Sequence, residues 1–173
     1  MKIPKFKLYT SVICVALLLP NLTLAYLTTD QTATKLNNNT VLYTISYKFG
    51  FLNRDLHMPM GATRDTATTS PYVAYRILNG ELTSSAGEVS SFVLTSDEDV
   101  QIKDNQYFLP RGKNAIFTLV TIFTIPDDEK NELADFSQII SSLPFTMVDN
   151  GKATPARLNP SELQYYRTPG VKF

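Results

Sequence analysis

The residues Ala115 to Ile125, AIFTLVTIFTI, form the longest apolar, β-branched and aromatic run beyond the first 25 residues. They follow Leu109-Pro110-Arg111-Gly112-Lys113, where proline presets φ and glycine is free to take a positive φ, so the spacing predicts a turn before a strand. Alternate side chains of a strand point to opposite faces, so one face carries Phe117, Leu119, Phe123 and Ile125 and the other carries Ile116, Val120 and Ile122. A strand that is apolar on both faces lies centrally in a sandwich or has one face against a partner.

The first 25 residues have the three parts of a secretory signal peptide. A positive region contains Lys2, Lys5 and Lys7, an apolar region runs from Leu8 to Leu19, and small residues at Thr23 and Ala25 occupy the positions that a signal peptidase reads. The sequence therefore predicts a signal peptide over residues 1–25, cleaved after Ala25. An uncleaved anchor is the alternative, but the apolar run is shorter than the ~20 residues that a membrane helix needs.

Charge and cysteine content restrict what the exported chain can do. The 173 residues include 16 basic and 16 acidic ones, and removal of the three leader lysines leaves 13 basic residues against 16. Such a chain lacks the basic footprint of nucleic-acid-binding proteins and the polybasic run that attaches proteins to anionic lipid. The only cysteine, Cys14, lies in the leader. The mature chain therefore has no disulfide, thiolate metal site or cysteine nucleophile, and its length allows one domain with its own core.

Short strands separated by turn residues dominate the rest of the chain. Alternation is clearest from Val41 to Phe51, where an aromatic and aliphatic face alternates with a largely polar one. Residues 26–36 suit an edge strand or an ordered arm. Further strands are predicted at 72–78, 90–95 and 143–148, and residues 100–102 and 106–109 lead into the central strand. Turns are predicted at Asn79-Gly80 and Asp149-Asn150-Gly151.

Three segments depart from the strand pattern. Residues 53–71 read as a long loop, and such loops are often functional. Leu133, Phe136, Ile140 and Leu143 recur at helical spacing after an acidic turn, which slightly favours a helix over a competing strand from 136 to 143. Near the C-terminus, Asn159-Pro160-Ser161-Glu162 has the pattern of a short helix start.

Together these patterns predict a mainly β protein, a single antiparallel β-sandwich with at most one or two short helices. The expected organisation is a signal peptide over 1–25, a sandwich domain over 26–148, and a C-terminal tail over 149–173 that packs on the sandwich or extends from it. Residues 106–113 followed by 115–119 resemble a hairpin of bacterial extracellular immunoglobulin-like modules, in which a Pro-x-Gly-Lys turn feeds a Thr-rich strand. The resemblance implies an immunoglobulin-like surface or periplasmic interaction module and brings no catalytic residues with it.

A run of soft ligands in the long loop is the most distinctive candidate metal site. His57, Met58 and Met60 offer an imidazole and two thioethers, which suit Cu(I). Because His57 is the only histidine and the mature chain has no cysteine, a blue-copper site is excluded. The interpretation that involves no metal is a Met-rich loop tip that packs on one end of the sandwich.

Two acidic clusters could supply oxygen ligands for Ca²⁺. One contains Asp97, Glu98, Asp99 and Asp104, and the other contains Asp127, Asp128, Glu129 and Glu132. Neither has the alternating spacing with a central glycine of a known calcium loop, and acidic turns are usually solvated. No cofactor is therefore expected, with copper and calcium as the two alternatives.

Catalytic motifs are not found, and the chain is predicted not to be an enzyme. The sequence contains no G-x-S-x-G elbow, and Gly112-Lys113 lacks the rest of a phosphate loop. Candidate binding residues are instead Tyr165 and Tyr166, since tyrosine combines apolar area with a hydroxyl group, and Arg54 and Arg64 in the long loop. Packing of the tyrosines back onto the sandwich is the alternative.

Three functions remain open from the sequence. The first is an exported, non-enzymatic binding or structural module that is periplasmic, cell-surface or secreted, with an unknown protein or cell-envelope component as partner. That module would bind no nucleic acid and would have no membrane span after cleavage. The second is a periplasmic copper-binding protein that uses the His/Met loop. The third is a small outer-membrane β-barrel, whose strands would need about 9 to 11 alternating residues each.

Overall fold

The computed structural model describes residues 24–51, 53–64, 70–127, 135–158, 163 and 166–173, with side chains described from Asp30 onward and not at Phe51. Within these ranges the chain forms thirteen β-strands. They are β1 (Leu24–Lys35), β2 (Thr40–Phe51), β3 (Asp55–Pro59), β4 (Ala62–Arg64), β5 (Val73–Asn79), β6 (Leu82–Thr83), β7 (Glu88–Thr95), β8 (Gln101–Lys103), β9 (Gln106–Leu109), β10 (Asn114–Thr124), β11 (Asp135–Asp149), β12 (Lys152–Leu158) and β13 (Val171–Lys172).

The strands form two sheets that pack against each other. The first sheet has the order β1-β2-β10-β7 and is antiparallel throughout. The second has the order β4-β5-β11-β3-β9-β8, with β12 and β13 also paired to β11 and β6 paired to β5. Only the short β4–β5 pairing is parallel among the described strands. The mainly β sandwich predicted from the sequence is confirmed.

The core lies between the sheets and contains the faces expected from alternation. On β10 and directly after it, Phe117, Leu119, Phe123 and Ile125 are completely buried. The inward residues of β2 are equally buried, and their rings meet those of both sheets: Tyr47 packs 6.1 Å from Phe117 and Phe49 packs 4.9 Å from Phe145, centroid to centroid. Each such aromatic or aliphatic side chain stabilises the fold by roughly 1.5–3 kcal/mol.

Residues 135–143 form a strand, so the slight preference for a helix there is wrong. β11 is 15 residues long and is paired along both edges, with β5 and β3 on one side and β12 and the C-terminal residues on the other. A register shift between Ile140 and Ser142 explains the misleading pattern. A bulge of this kind changes which residues face the core, from Phe136 and Ile140 before it to Leu143 after it, and so imitates helical spacing. Leu133 lies outside the described residues.

The expected long loop over 53–71 contains two strands, so that prediction is wrong for residues 55–59 and 62–64. β3 lies between β9 and β11, and β4 pairs with β5. The partners of β3 are far away in sequence, and a run of five residues shows its alternation only once they are known. The short helix expected at 159–162 lies outside the described residues, as do residues 1–23 of the expected signal peptide.

The predicted turns are confirmed, but the turn at Gly112 connects different elements from those expected. Gly112 has φ of +76° and the Lys113 amide donates to the carbonyl of Pro110 at 3.2 Å, but this turn leads from β9 in the second sheet to β10 in the first. It is therefore a crossing between sheets and does not close a hairpin. Gly80 and Gly151 take positive φ in two true hairpins, β5–β6 and β11–β12.

Candidate functional site

The first sheet exposes apolar side chains on the surface that points away from the core. Four large residues of β7 and β10 stand out there: Phe92 is 39% exposed, Leu94 48%, Ile116 42% and Ile122 38%. No residue that the structure describes covers them. The largest apolar patch on a soluble monomer is often functional, whereas apolar residues exposed singly need no explanation. We call this side of the first sheet the outer face.

Strand register arranges the outer face in rows that cross all four strands. The central row contains Thr32, Thr44, Val120 and Phe92. The row on one side contains Asp30, Ser46, Thr118 and Leu94, and the row on the other contains Thr34, Leu42, Ile122 and Ser90. The apolar side chains are thus concentrated on β10 and β7, and hydroxyl groups are concentrated on β1 and β2.

Hydroxyl groups on the outer face are bonded to each other across neighbouring strands. The Thr32 and Thr44 hydroxyls lie 2.6 Å apart, those of Ser46 and Thr118 lie 2.9 Å apart, and Thr40 and Thr124 form a third pair at 3.3 Å. A hydroxyl that already has a protein partner loses less on leaving water than an unpaired one. The polar part of this face can therefore be covered by an apolar surface at a small cost in free energy.

Charge is confined to the margin of the outer face. Asp30 lies on the edge strand β1, Lys48 lies one row beyond Ser46, and Glu88 lies at the far end of β7. All three side chains are exposed. The rest of the three central rows contains no ionisable group.

The two edges of the first sheet differ. At β7, the Val93 amide donates to the Met60 carbonyl at 3.0 Å, Gly61 bridges to Phe92, and the Ser91 hydroxyl donates to the Ala62 carbonyl at 3.4 Å. This segment ties the edge of β7 to the second sheet. At the other edge, β1 has no strand partner beyond β2 among the described residues, and a bulge between Thr28 and Asp30 interrupts its register.

A groove of about 450 Å³ lies on the outward side of the second sheet. Its described lining combines four prolines with neutral and cationic groups: His57, Pro59, Pro71, Gln106, Pro144, Phe145, Thr146, Pro155, Ala156 and Arg157. Arg157 is engaged structurally, since its guanidinium donates to the Ser142 hydroxyl at 2.7 Å and to the Ser70 carbonyl at 2.8 Å. The groove is therefore lined by four prolines and a hydrogen-bonded guanidinium, and it has no carboxylate among its described residues.

The structure does not bring the His/Met candidates together. His57 faces the groove, where its ring contacts Phe108 edge to face at 5.2 Å, whereas Met58 is completely buried in the core on the opposite side of β3. Met60 lies beyond the strand and packs against the core. Among the described residues, no three His, Cys, Asp or Glu side chains gather in a way that would hold a metal ion.

Three of the described acidic candidates make contacts with residues outside their own clusters. Asp97 accepts from the Ile116 amide, Asp99 pairs with Lys113 at 3.0 Å, and Asp127 accepts from the Asn39 side-chain amide at 3.0 Å. Asp104 takes a positive φ of 50° in the turn between β8 and β9. Asp128, Glu129 and Glu132 lie outside the described residues.

Two of the predicted binding residues, Tyr166 and Arg64, make contacts within the fold. Tyr166 is only 2% exposed and its ring lies 6.4 Å from that of Tyr47, so it belongs to the core. Arg64 donates to the carbonyls of Ser84, Ala86 and Gly87 at 2.7–2.8 Å and so holds that loop in place. Arg54 is half-buried and its Nε has no hydrogen-bond partner among the described residues. Tyr165 lies outside the described residues.

Buried tyrosines hold the two sheets together. The Tyr43 hydroxyl donates to the Phe136 carbonyl at 2.8 Å, and the Tyr107 hydroxyl donates to the Val93 carbonyl at 2.9 Å. Burial raises the pKa of Tyr43, Tyr47, Tyr75 and Tyr107 above that of free tyrosine. These phenols stay protonated at neutral pH, and their arrangement is that of a core.

Sequence reasoning missed β7 as part of the site. Phe92 and Leu94 identify a strand there, but the alternating set of Val89, Ser91, Val93 and Thr95 is of similar polarity. Of the two sets, the structure turns Val93 into the core and leaves Phe92 and Leu94 outside. The sequence feature that indicated the site was in β10, which is apolar on both faces, so that one face is expected to lie against a partner.

Comparison with known proteins gives no assignment. No protein family and no curated protein sequence matches this chain. Within the ranges that the structure describes, no helix is both long and apolar enough to cross a bilayer.

Proposed function

We propose that this chain is an exported, non-enzymatic β-sandwich that acts as an interaction or structural module at the cell surface or in the periplasm. The proposal places its contact site on the outer face. The observation that carries it is the exposure of Phe92, Leu94, Ile116 and Ile122 on one side of one sheet. Leaving these side chains in water forfeits apolar burial that a partner would restore, at about 25 cal/mol per Å².

Export is supported by the sequence of the first 25 residues. The short resemblance to extracellular immunoglobulin-like modules stays a prediction and carries no weight here, because the residues that suggested a hairpin form a crossing between the two sheets. The copper alternative is not carried forward, because the His57 imidazole and the Met58 thioether lie on opposite faces of β3.

The test uses the fact that the expected mature chain, Tyr26 to Phe173, contains no cysteine. A single cysteine is introduced at Leu94→Cys on the outer face, or at Ile102→Cys on β8 as a matched control that is 65% exposed. Intact cells that export each variant are treated with a membrane-impermeant maleimide, and the labelling rate is compared with that of the same protein purified and dilute. Mass spectrometry of the product reports whether it begins at Tyr26.

The proposal expects cysteine 94 to be labelled much more slowly in cells than in dilute solution, while cysteine 102 is labelled equally in both. Equal labelling of the two positions in cells would show that nothing covers the outer face there. Retention of the chain in the cytoplasm would contradict export.

A further inference from the structure

The outer face has no charge pattern for a charged partner to match. In its three central rows the only ionisable side chain is Asp30, which lies on the edge strand. Specific partners of opposite charge are recognised by complementary potentials, and a neutral face offers them none. The matching surface must itself be flat, apolar and furnished with hydroxyl groups. The outer face has that chemistry itself, with apolar groups on β7 and β10 and hydroxyl groups on β1 and β2, so a second copy would supply a matching surface.

Burying the polar groups of the face in such packing costs little free energy. The 2.6 Å contact between Thr32 and Thr44 and the 2.9 Å contact between Ser46 and Thr118 survive when water is removed from above them. The remaining polar group of the central rows on β7, Ser90, is small and exposed. Burial of the face therefore leaves few unsatisfied donors or acceptors.

The size of the face is at the lower limit for a specific interface. Four strands about 4.8 Å apart and about eight residues long at ~3.4 Å each cover an area of about 500 Å². Two copies would bury about 1,000 Å² in total, which is the least that a biological interface generally needs. Interfaces of this size are typical of weak and transient complexes, so we expect a reversible dimer with a dissociation constant on the order of micromolar.

The distribution of apolar groups selects the symmetry axis. A two-fold axis parallel to the strands would place β7 on β1 of the other copy, with Leu94 against Asp30. An axis across the strands keeps β7 on β7 and β10 on β10, and it passes through the central row of Phe92 and Val120. We infer that the outer face binds the outer face of a second copy of this chain, with Phe92 of each copy at the two-fold axis. The inference rests on the proposed function and names the partner.

The first experiment measures the association state of purified Tyr26–Phe173 by sedimentation velocity, from about 1 µM to about 500 µM, a range that brackets a micromolar dissociation constant. The wild-type chain is expected to pass from monomer to dimer. The substitution Phe92→Asp places two carboxylates against each other at the axis and should raise the dissociation constant at least about tenfold. The matched control Ile102→Asp, on the exposed β8, should leave it unchanged. Circular dichroism shows whether each variant is folded.

The second experiment remains informative if Phe92→Asp fails to fold. Single-cysteine variants Phe92→Cys and Ile102→Cys are treated with a short bis-maleimide that can bridge the ~10 Å between packed sheets. The Phe92→Cys variant should yield covalent dimers efficiently at concentrations where the wild type is dimeric, and the Ile102→Cys variant should not. A third variant, Thr34→Cys on β1, detects the competing dimer in which two copies pair through the β1 edge that meets no other described strand.

Three results would overturn the inference: a monomer at the highest concentration, crosslinking no faster at position 92 than at position 102, or dimers trapped chiefly through position 34. A purified chain that stays monomeric while cysteine 94 is protected in cells would remove the second copy as partner and leave the proposed function standing. Free labelling of cysteine 94 in cells removes the proposed function.

Discussion

The hydroxyl of Tyr43 on β2 donates a hydrogen bond to the carbonyl of Phe136 on β11 at 2.8 Å, between two residues in different sheets and 93 positions apart. Both residues are buried. The inner faces of a β-sandwich pack through interdigitating side chains, and this bond adds a directional contact between the two sheets.

Removal of that contact should destabilise the fold. Tyr43→Phe leaves the Phe136 carbonyl buried without its donor, so the free energy of unfolding should fall by about 1–3 kcal/mol. Urea denaturation measures the change. Tyr47→Phe is the matched control, because no described residue hydrogen-bonds to the Tyr47 hydroxyl and its loss should be neutral or stabilising. Equal losses in both variants would contradict the role given to the Tyr43 bond.

Stability should fall in alkaline solution. Burial raises the pKa of Tyr43, with a further contribution from the Asp135 carboxylate, and burial also raises that of Tyr47. The unfolded chain releases these protons near pH 10 while the folded chain keeps them, so the stability that is complete below pH 10 is lost as pH rises. Tyr43 and Tyr47 should each remove about 1.4 kcal/mol at pH 11.

Urea unfolding at pH 8 and pH 11 measures this effect. Lysines also titrate in this range, so the comparison is between the wild type and Tyr47→Phe, which should lose less stability over the same interval. Identical losses in the two proteins would contradict the assignment of the effect to buried phenols.

The two faces of β10 should respond differently to truncation. Leu119 is completely buried, and Leu119→Ala should cost about 2–5 kcal/mol through lost burial and the cavity that remains. Ile116 is 42% exposed, and Ile116→Ala should cost less than about 1 kcal/mol in dilute solution. Thermal unfolding of the two variants beside the wild type gives the comparison. Equal costs would mean that the outer face is already buried in the monomer.

Alanine substitutions at two glycines distinguish the destabilisation caused by backbone strain from that caused by a steric clash. Gly87 and Gly151 both have positive φ, at +70° and +79°. A Cβ atom at Gly151 would meet nothing within 4 Å, so Gly151→Ala should cost about 1 kcal/mol from backbone conformation alone. At Gly87 the same atom would lie 2.5 Å from the Phe123 ring and 2.6 Å from the Thr124 carbonyl. Gly87→Ala should therefore destabilise the domain by several times more in urea denaturation, and equal effects would contradict this account.

Local pattern was sufficient for much of the fold. β2 and β10 show clean alternation, and glycine at Gly80, Gly112 and Gly151 indicated turns that exist. Local pattern failed where the neighbouring strands determine the structure of a segment. β3 is five residues long and is a strand because β9 and β11 flank it, and the bulge near Ile140 hides the period of β11.

The candidate site was only half visible in the sequence. The two apolar faces of β10 predicted a central place in a sandwich or one face against a partner, and in the structure one face lies in the core while Ile116 and Ile122 on the other are exposed. Nothing in β7 shows whether Phe92 or Val93 faces inward, because that choice depends on the register between β7 and β10. Residues chosen for unusual chemistry, such as Met58 and Tyr166, proved to be core.

The order of strands in the first sheet has a consequence for how the chain folds. β10 lies beside β2, and the hydroxyl pair of Ser46 and Thr118 joins residues 72 positions apart. Topologies dominated by such distant pairings fold slowly, on a scale of about milliseconds to seconds. During that interval both apolar faces of β10 are exposed to other chains. Refolding yield should accordingly drop steeply with protein concentration, and rapid dilution should restore it.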